Sequence, residues 1–388
     1  MHPEVRRIER PVMDWERHAA RLAEDITDPV SRWREPVAHT ARHALVPKWW
    51  ERADSGWQVR DGAADPEAWA TAAYSDTSLV TRVGPLHADH AAPDDRPIGR
   101  ATSSATMPGL VVQMLRHGRL TAGVDLLDVG TGAGGLTAYA CRRLGAEHVT
   151  SVDVDPYLTE VARERLAAMD MHPTFETVDA TGPLPGTYDR IIATVAVRPV
   201  PASWLAALRP GGRLVTTIAN TSLILTAWKD PDGGAIGRIE RDWAGFMPTR
   251  HGDDYPPGLA DLVTLAWVAG GLHVTAGRFP VMDIAEAWEV RSMLEVEVPG
   301  VELDYRHEGD TRSAVLVHPD GSWARATAHR FAAPIVHEGG PRRLWKLLER
   351  IRLRLNVEGR LPLYGAHVRI TPDGVCHLKR GGWTGTID

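Results

Sequence analysis

Cysteine is nearly absent from this 388-residue chain, with Cys141 and Cys376 the only two. Two thiols cannot build a disulfide framework or a four-ligand zinc site, which fits a reducing compartment, and no His-rich or acidic cluster suggests a bound metal. No uninterrupted apolar run is long enough to span a bilayer, and no apolar segment follows the opening MHPEVRRIERPVMDWERH. The expected location is therefore the cytoplasm, with no membrane partner. An excess of basic residues is also missing: 44 Lys and Arg stand against 50 Asp and Glu, a formal net charge of −6. That balance argues against a general nucleic-acid binder. Lysine itself is confined to Lys48, Lys229, Lys346 and Lys379, a bias that a GC-rich genome explains.

Tryptophan is plentiful but uneven. Six of 14 lie between Trp15 and Trp69, none between residues 100 and 203, and eight from Trp204 onward. The centre thus differs from both flanks. Residues 1–98 contain helical stretches broken by Pro29, Pro36, Pro47 and the run HADHAAPDDRP, and are expected to form a helical substrate or cap region. Strands and helices then alternate. Helices are expected over Met107–Leu115, Gly135–Leu144 and Tyr157–Met169. Strands are expected over Asp125–Val129, His148–Val152, Thr174–Val178, Arg190–Val195 and Arg213–Ile218. Strands spaced by helices imply an α/β fold with a doubly wound, mostly parallel sheet, here over residues 99–250.

Beyond residue 250 the pattern changes to an additional α+β region, 251–388. Ala314–Ala326 and His367–Lys379 read as hairpins around Pro-Asp-Gly turns, since Pro presets φ and Gly accepts positive φ. Pro341–Leu355 reads as an amphipathic helix with Pro at its first position. Its apolar stripe is Leu344, Leu348, Ile351 and Leu355; Arg342, Lys346, Arg350 and Arg354 form a basic stripe beside it.

The sharpest motif is LLDVGTGAGG, Leu126–Gly135, where the first strand of the alternating region meets a helix. Glycines there let backbone approach a ligand, and the following helix offers unpaired N–H groups and a positive dipole end. A dinucleotide would also fit such a loop. Three carboxylates tip the balance towards a cofactor with a sulfonium and an ammonium: Asp128 before the first glycine, Asp153 in SVDVD, and Asp179 in ETVDAT. Asp153 is placed for the ribose hydroxyls, with Asp155 as its competitor, and Asp179 for the adenine. Asp128 and Asp179 also suit loop caps.

Several separate segments resemble the protein-L-isoaspartate O-methyltransferase family: LLDVGTGAGGLTA, SVDVD, YDRIIATVAVRPVP and LRPGGRLV, in family order. Upstream, TARHALVP (Thr40–Pro47), AYSDTSL and RATSSATM are similar to further family segments, and GFMPTR (Gly245–Arg250) to its final strand. The resemblance implies a class I methyltransferase, Rossmann-like fold and S-adenosyl-L-methionine as cofactor, with S-adenosyl-L-homocysteine as product. It implies cofactor contacts from Thr102, Asp128, Gly130, Thr131, Gly132, Gly134, Asp153, Val154, Asp179, Ala180 and Thr194. Ser104 matches the family's active-site serine, which contacts the substrate carboxyl; it also suits an N-cap of the following helix. His43, Val46, Ser103, Ala105, Val195, Ala196 and Val197 would line the acceptor site. Two departures lie where substrate enters: Thr106-Met107 replaces the family's Pro-His, and PLHADHAAPDDRPIG (85–99) is an insertion.

Methyl transfer to a carboxylate needs no strong base, because the acceptor, with a pKa of about 4, is ionised at neutral pH. Alignment and partial desolvation are what the enzyme supplies. His43 and His117 are the candidate bases if one is used. The partner is a peptide or protein bearing Asp or isoAsp. The leading expectation is a branch of the family that methylates ordinary aspartate in a constrained, ribosomally made peptide, leading to succinimide or isoaspartate. Repair of isoaspartyl proteins, a non-catalytic cofactor-binding scaffold and a nicotinamide oxidoreductase are the alternatives. The 251–388 region, with its basic stripe and tryptophans, is the expected peptide-recognition element.

Overall fold

The computed structural model describes residues 14–53, 56–252 and 254–388; the opening thirteen residues of the expected cap region lie outside these. The chain forms two compact units, Met1–Thr177 and Val178–Asp388. The boundary falls inside the 99–250 stretch expected as one domain.

The first unit begins with helices Trp15–Ile26, Arg34–Ala38 and Arg42–Leu45, but its N-terminal region is not simply helical. Strands β1 (Lys48–Ala53), β2 (Gly56–Asp61), β3 (Leu79–Val83), β4 (Leu86–His87) and β5 (Ala101–Ala105) form an antiparallel sheet. Its order is β2-β1-β3-β4, with β5 also on β3. The strands are short, and KWWERA and GWQVRD mix Trp and Val with charges, so no long alternating run advertised them. Burial of Trp50, Trp57 and Val83 gives this sheet its own core.

Three parallel strands follow: β6 (Leu126–Val129), β7 (Val149–Asp153) and β8 (Thr174–Thr177). All four β6 residues are buried, as in a strand covered on both faces. Helices Pro108–Gly118, Gly135–Leu144 and Pro156–Ala167 alternate with these strands, within a few residues of their expected bounds.

One side chain ties the helix Arg42–Leu45 to the Ala73–Thr77 turn and the end of β5. Arg42 is buried, and its guanidinium donates to the carbonyls of Ala73 (2.7 Å), Thr77 (2.9 Å), Ala105 (3.2 Å) and Thr106 (3.3 Å). Burial lowers its pKa. Next to it, the Thr40 hydroxyl accepts from Arg142 and the Leu45 carbonyl from Arg165, both on helices flanking the parallel strands.

The second unit opens with parallel β9 (Tyr188–Val197) and β10 (Leu208–Ile218), then antiparallel β11 (Leu223–Lys229) and β12 (Ala235–Trp243). β10 begins five residues before its expected start, with the Pro-Gly-Gly segment absorbed as an irregularity and Gly211 at φ 73°. A separate antiparallel sheet contains β13 (His273–Ala276), β14 (Glu302–Glu308), β15 (Thr311–Val317), β16 (Trp323–His329) and β17 (Ile335–Gly339), in the order β13-β17-β16-β15-β14. The last strands, β18 (His367–Ile370), β19 (Cys376–Arg380) and β20 (Trp383–Ile387), return to β12. The expected 251–388 region therefore contributes to two sheets. The doubly wound α/β class holds, while the antiparallel additions make the sheet of this unit mixed.

Both Pro-Asp-Gly hairpins form, with Gly321 at φ 85° and Gly374 at φ 93°. The amphipathic helix starts at Leu344 rather than Pro341, because the Glu338 carboxylate accepts from the Trp345 N–H (2.9 Å) and fixes its first turn there. Leu344, Leu348 and Ile351 are buried as its apolar stripe requires. No described helix is long and apolar enough to cross a membrane.

Replacing Arg42 by Met should strand several buried carbonyls, and losing charge-assisted hydrogen bonds of this kind costs about 3 kcal/mol or more. A fall of that size in the urea-unfolding free energy is expected. An unchanged midpoint would remove Arg42 from its tying role.

Candidate active site

In the first unit, the glycine loop has Gly130, Gly132 and Gly134 at φ 96°, 50° and 86°. A Cβ on Gly132 would come within 3.1 Å of the Ser104 carbonyl, and one on Gly134 within 3.0 Å of Leu166. The loop is therefore wedged between the Ser103–Ser104 strand and the helix Pro156–Ala167, and only glycine meets both the positive φ and the close approach.

The carboxylate bonded to the loop backbone is Asp153. Its Oδ2 accepts from Gly132 N–H (3.1 Å), and its Oδ1 from Asp155 N–H (3.1 Å). Each oxygen has lone-pair capacity beyond one bond. Val154 beside it is half-buried. Asp155, the competing residue, is committed elsewhere. It caps the helix Pro156–Ala167 through Tyr157 N–H and pairs with His87 Nε2 (3.0 Å) and Arg82 Nε (3.5 Å). Burial pushes its pKa up, but hydrogen bonding to His87 and the His87 and Arg82 charges outweigh this and bring it to about 2.

Asp128 does not organise the loop backbone directly. It is fully buried behind it, where Oδ2 accepts from the hydroxyls of Thr137 (2.6 Å) and Ser151 (3.1 Å). Thr131 meets the same Ser151 hydroxyl at 2.7 Å. Burial pushes the Asp128 carboxyl up to about 7, only partly offset by these two donors, and Oδ1 has no hydrogen-bond partner among the described residues. An orphaned buried acceptor beside an open-backboned loop suits a ligand bringing hydrogen-bond donors and positive charge.

Ser104 lies half-buried on β5, paired with Val80. It is not the cap of the following helix. Asp76 Oδ1 accepts from Gly109 N–H (2.6 Å) and Ser78 Oγ from Met107 N–H (3.0 Å), so the Tyr74–Ser78 segment does that work. Ser103 Oγ accepts from Thr81 (3.1 Å) and Thr102 donates to the Gly84 carbonyl (2.8 Å), so both of these hydroxyls are engaged within the antiparallel sheet. Ala105 is buried, and its carbonyl is held by Arg42.

His43 sits against Trp69, with ring centroids 5.1 Å apart, and its Nδ1 meets the Tyr74 hydroxyl at 2.6 Å. Burial lowers its pKa. Val46 is buried, and its carbonyl takes the Trp69 indole N–H. His117 lies in the last turn of the helix Pro108–Gly118, where a histidine suits the dipole.

The 85–99 insertion is anchored along the helix Pro156–Ala167. Asp89 Oδ2 accepts from Tyr157 (2.9 Å) and Arg165 (2.7 Å), and the Tyr157 ring lies 4.5 Å and 4.4 Å from those of His87 and His90.

In the second unit, Asp179 Oδ1 accepts from Thr181 N–H (2.9 Å) and Oδ2 from His251 Nδ1 (2.8 Å). Burial raises its pKa, but the bonds from His251 and Thr181 outweigh that and lower it. The Ala180 carbonyl takes the indole N–H of fully buried Trp204 (2.6 Å). Thr194 and Val195 are half-buried, and Ala196 and Val197 buried, towards the C-terminal end of β9. GFMPTR runs beside this end: Ala196 N–H donates to the Met247 carbonyl (2.9 Å), and Thr249 N–H to that of Ala196 (2.9 Å).

Arg42, Tyr74 and Asp76 were missed as positioning residues by sequence reasoning, as were the Asp128 partners Thr137 and Ser151. The available signal was an arginine inside the otherwise weakly polar TARHALVP.

Two changes test this geometry. Asp153→Ala should weaken S-adenosylmethionine binding at least tenfold by calorimetry, and equal affinity would remove the ribose contact. A cationic ligand beside Asp128 favours its ionised form, so binding near pH 7 should release protons and strengthen as pH rises through 7. Titration in buffers of different ionisation enthalpy reads that release; Asp128→Asn should abolish it.

The model of the family described as protein-L-isoaspartate(D-aspartate) O-methyltransferase matches residues 66–244. The protein-L-isoaspartate O-methyltransferase of Ignicoccus hospitalis is 31% identical over 181 residues, covering 45% of this chain and 77% of that protein. The ribosomal protein L11 methyltransferase of Pelobacter propionicus is 49% identical over only 72 residues, 18% of this chain and 23% of that one. A solved protein-L-isoaspartate O-methyltransferase structure aligns over 94% of this chain and 99% of its own at TM-score 0.50, with 15% identity, which shows the shared fold. The chain belongs to the protein-L-isoaspartate O-methyltransferase family and is an S-adenosylmethionine-dependent O-methyltransferase of class I, Rossmann-like fold.

Proposed function

We propose that this enzyme esterifies the side-chain carboxylate of an aspartyl residue in a conformationally constrained, ribosomally made peptide. The observation that carries the aspartyl chemistry is the Ser104 strand held against the glycine loop at Gly132. The anchored 85–99 insertion and the Thr106-Met107 departure support a substrate other than a generic damaged protein.

When bound, S-adenosylmethionine supplies an electrophilic methyl group. The chain's part is to bind and align. Asp153 accepts the ribose hydroxyls, Val154 lies beside it, and Gly130, Thr131, Gly132 and Gly134 bring backbone close. Asp128 provides a buried acceptor, while Thr102, Asp179, Ala180 and Thr194 are the remaining cofactor contacts. Ser104 donates to the acceptor carboxylate. Ser103, Ala105, His43, Val46, Val195, Ala196 and Val197 shape the surrounding wall. No base is needed, and His43, bonded to Tyr74 and disfavoured as a cation by burial, serves as packing. On the ester, the next backbone nitrogen attacks the carbonyl; the C–O bond breaks, methanol leaves with the amide proton, and a succinimide forms. Hydrolysis of that ring gives aspartate or isoaspartate.

A second reading, methylation of isoaspartate in protein repair, is favoured by the name of the Ignicoccus relative. An intact loop and an available Ser104 weigh against a scaffold without catalysis.

The deciding assay offers S-adenosylmethionine with a linear isoaspartyl peptide, its aspartyl twin, and cyclised aspartyl peptides, followed by mass. A gain of ~14 Da for the ester, or a net loss of ~18 Da once methanol (~32 Da) has left to form the succinimide, on cyclised aspartyl peptides alone is the expected outcome. Methylation of the linear isoaspartyl peptide alone would select repair. Ser104→Ala should lower kcat about 10- to 100-fold with cofactor affinity kept.

A further inference from the structure

The basic stripe expected to receive an acidic peptide is already largely paired. Arg342 meets Asp320 (2.7 Å), Arg350 meets Glu297 (2.7 Å) and Arg354 meets Glu358 (3.0 Å). Six of the eight tryptophans of the second unit are likewise covered: Trp204, Trp323 and Trp345 are buried, and Trp228, Trp267 and Trp383 are half-buried. Two are not. Trp243 is 57% exposed and Trp288 40%, and their rings meet edge to face at 4.1 Å.

These two rings border a cleft of about 660 Å³, lined also by Arg241, Arg360, Tyr364 and Arg380. Arg380 donates to the Tyr364 carbonyl, whereas Arg241 and Arg360 are exposed and enter no ion pair among the described residues. A second, contiguous depression shares Arg360, Leu361 and Arg380 and continues to Trp383. Exposed aromatic rings and unpaired arginines side by side are what peptide-binding surfaces use as anchors.

The cleft also lies at a telling place on its own sheet. Val197, at the end of β9, pairs with Ile218; Thr217 pairs with Ile224; Leu223 pairs with Trp243. Trp243 is therefore on the same edge as the C-terminal ends of the parallel strands, the edge at which α/β sheets bind ligands, three strand spacings or roughly 14 Å from Val197. The helix Trp288–Glu297 spans the same region. Trp288 opens it at the cleft, Ser292 Oγ accepts from Ser222 N–H (3.0 Å), and Glu295 lies 3.8 Å from Arg198, the residue after Val197. The Tyr364 hydroxyl meets the Ser222 side-chain hydroxyl at 2.6 Å.

We propose that this cleft is a peptide-docking subsite, which holds an acidic, aromatic-containing segment of the substrate while its acceptor aspartate is presented at the end of β9. The proposal rests on the peptide-substrate reading above and replaces the basic helix stripe as the recognition surface. Glu286 and Glu289 also line the cleft. Interspersed carboxylates suit a peptide, whose backbone N–H groups they accept, and repel the continuous phosphates of a nucleic acid.

The test titrates the full chain with a fluorescein-labelled linear peptide of alternating glutamate and tyrosine, and with its lysine–tyrosine counterpart, by anisotropy. The glutamyl peptide should bind the wild type, and Arg241→Glu with Arg360→Glu should weaken it at least tenfold. Trp243→Ala should weaken it several-fold. S-adenosylmethionine affinity, measured on the same samples, should not move. Unchanged peptide affinity in the variants, preference for the lysyl peptide, or tighter binding of oligothymidylate would overturn the proposal. So would a shift from dimer to monomer on Trp243→Ala, which would give the face to a second copy. If variants lose the glutamyl peptide although no aspartyl peptide is ever methylated, the cleft stands and the activity assignment falls.

Discussion

A buried guanidinium is the constraint on which the first unit depends. Arg42 gathers carbonyls from the Ala72–Thr77 turn and from Ala105–Thr106, two segments more than twenty residues apart, into one shell. A cation can be buried only if its donors are met, and here backbone carbonyls meet them, with the nearby Asp76 charge also favouring the cation. The consequence is positional. The end of β5 cannot move without breaking this shell, and that strand carries Ser104 against the glycine loop. A planar fork with five donors does this where a lysine could not.

The same logic separates two neighbouring acidic residues. Asp153 and Asp155 are two positions apart, and either could have met a ribose. What separates them is company: Asp155 is taken by His87, Arg82 and the helix N-terminus, whereas Asp153 accepts from the backbone N–H groups of Gly132 and Asp155 at the loop. His87 belongs to the 85–99 insertion. The insertion thus engages Asp155 through His87, beside the loop that Asp153 meets.

Legibility in the sequence followed the range of the interactions. The glycine loop, the parallel strands and both Pro-Asp-Gly turns are local devices, in which positive φ and apolar runs are written within a few residues, and they were readable. The antiparallel strands at Lys48–Ala53 and Gly56–Asp61 were not, since their order depends on Trp50 and Trp57 packing with Val83 and Ala88 far along the chain. The start of the helix at Leu344 was misread at Pro341 for a similar reason. Proline is a good local marker, but Glu338 on a neighbouring strand supplies the bond that sets the first turn. The resemblance singled out Ser104, and the capping by Asp76 and Ser78 removes its competing local role as a helix cap.

Charge shows the limit of pattern most clearly. Arg342, Lys346, Arg350 and Arg354 fall at a spacing that draws the eye, but three of them face carboxylates supplied by Asp320, Glu297 and Glu358. Exposed pairs of this kind contribute little stability, but each lowers the net charge the stripe presents to a partner. Arg241, Arg360 and Arg380 have no periodic relation in sequence and converge only because β18 and β19 return to β12. The closing hairpin therefore does more than extend a sheet: it carries Arg380 to the cleft that Arg241 and Trp243 border from β12. A surface assembled this way can recognise a peptide only when the second unit is fully folded, so recognition and the completeness of the sheet are coupled by the fold itself.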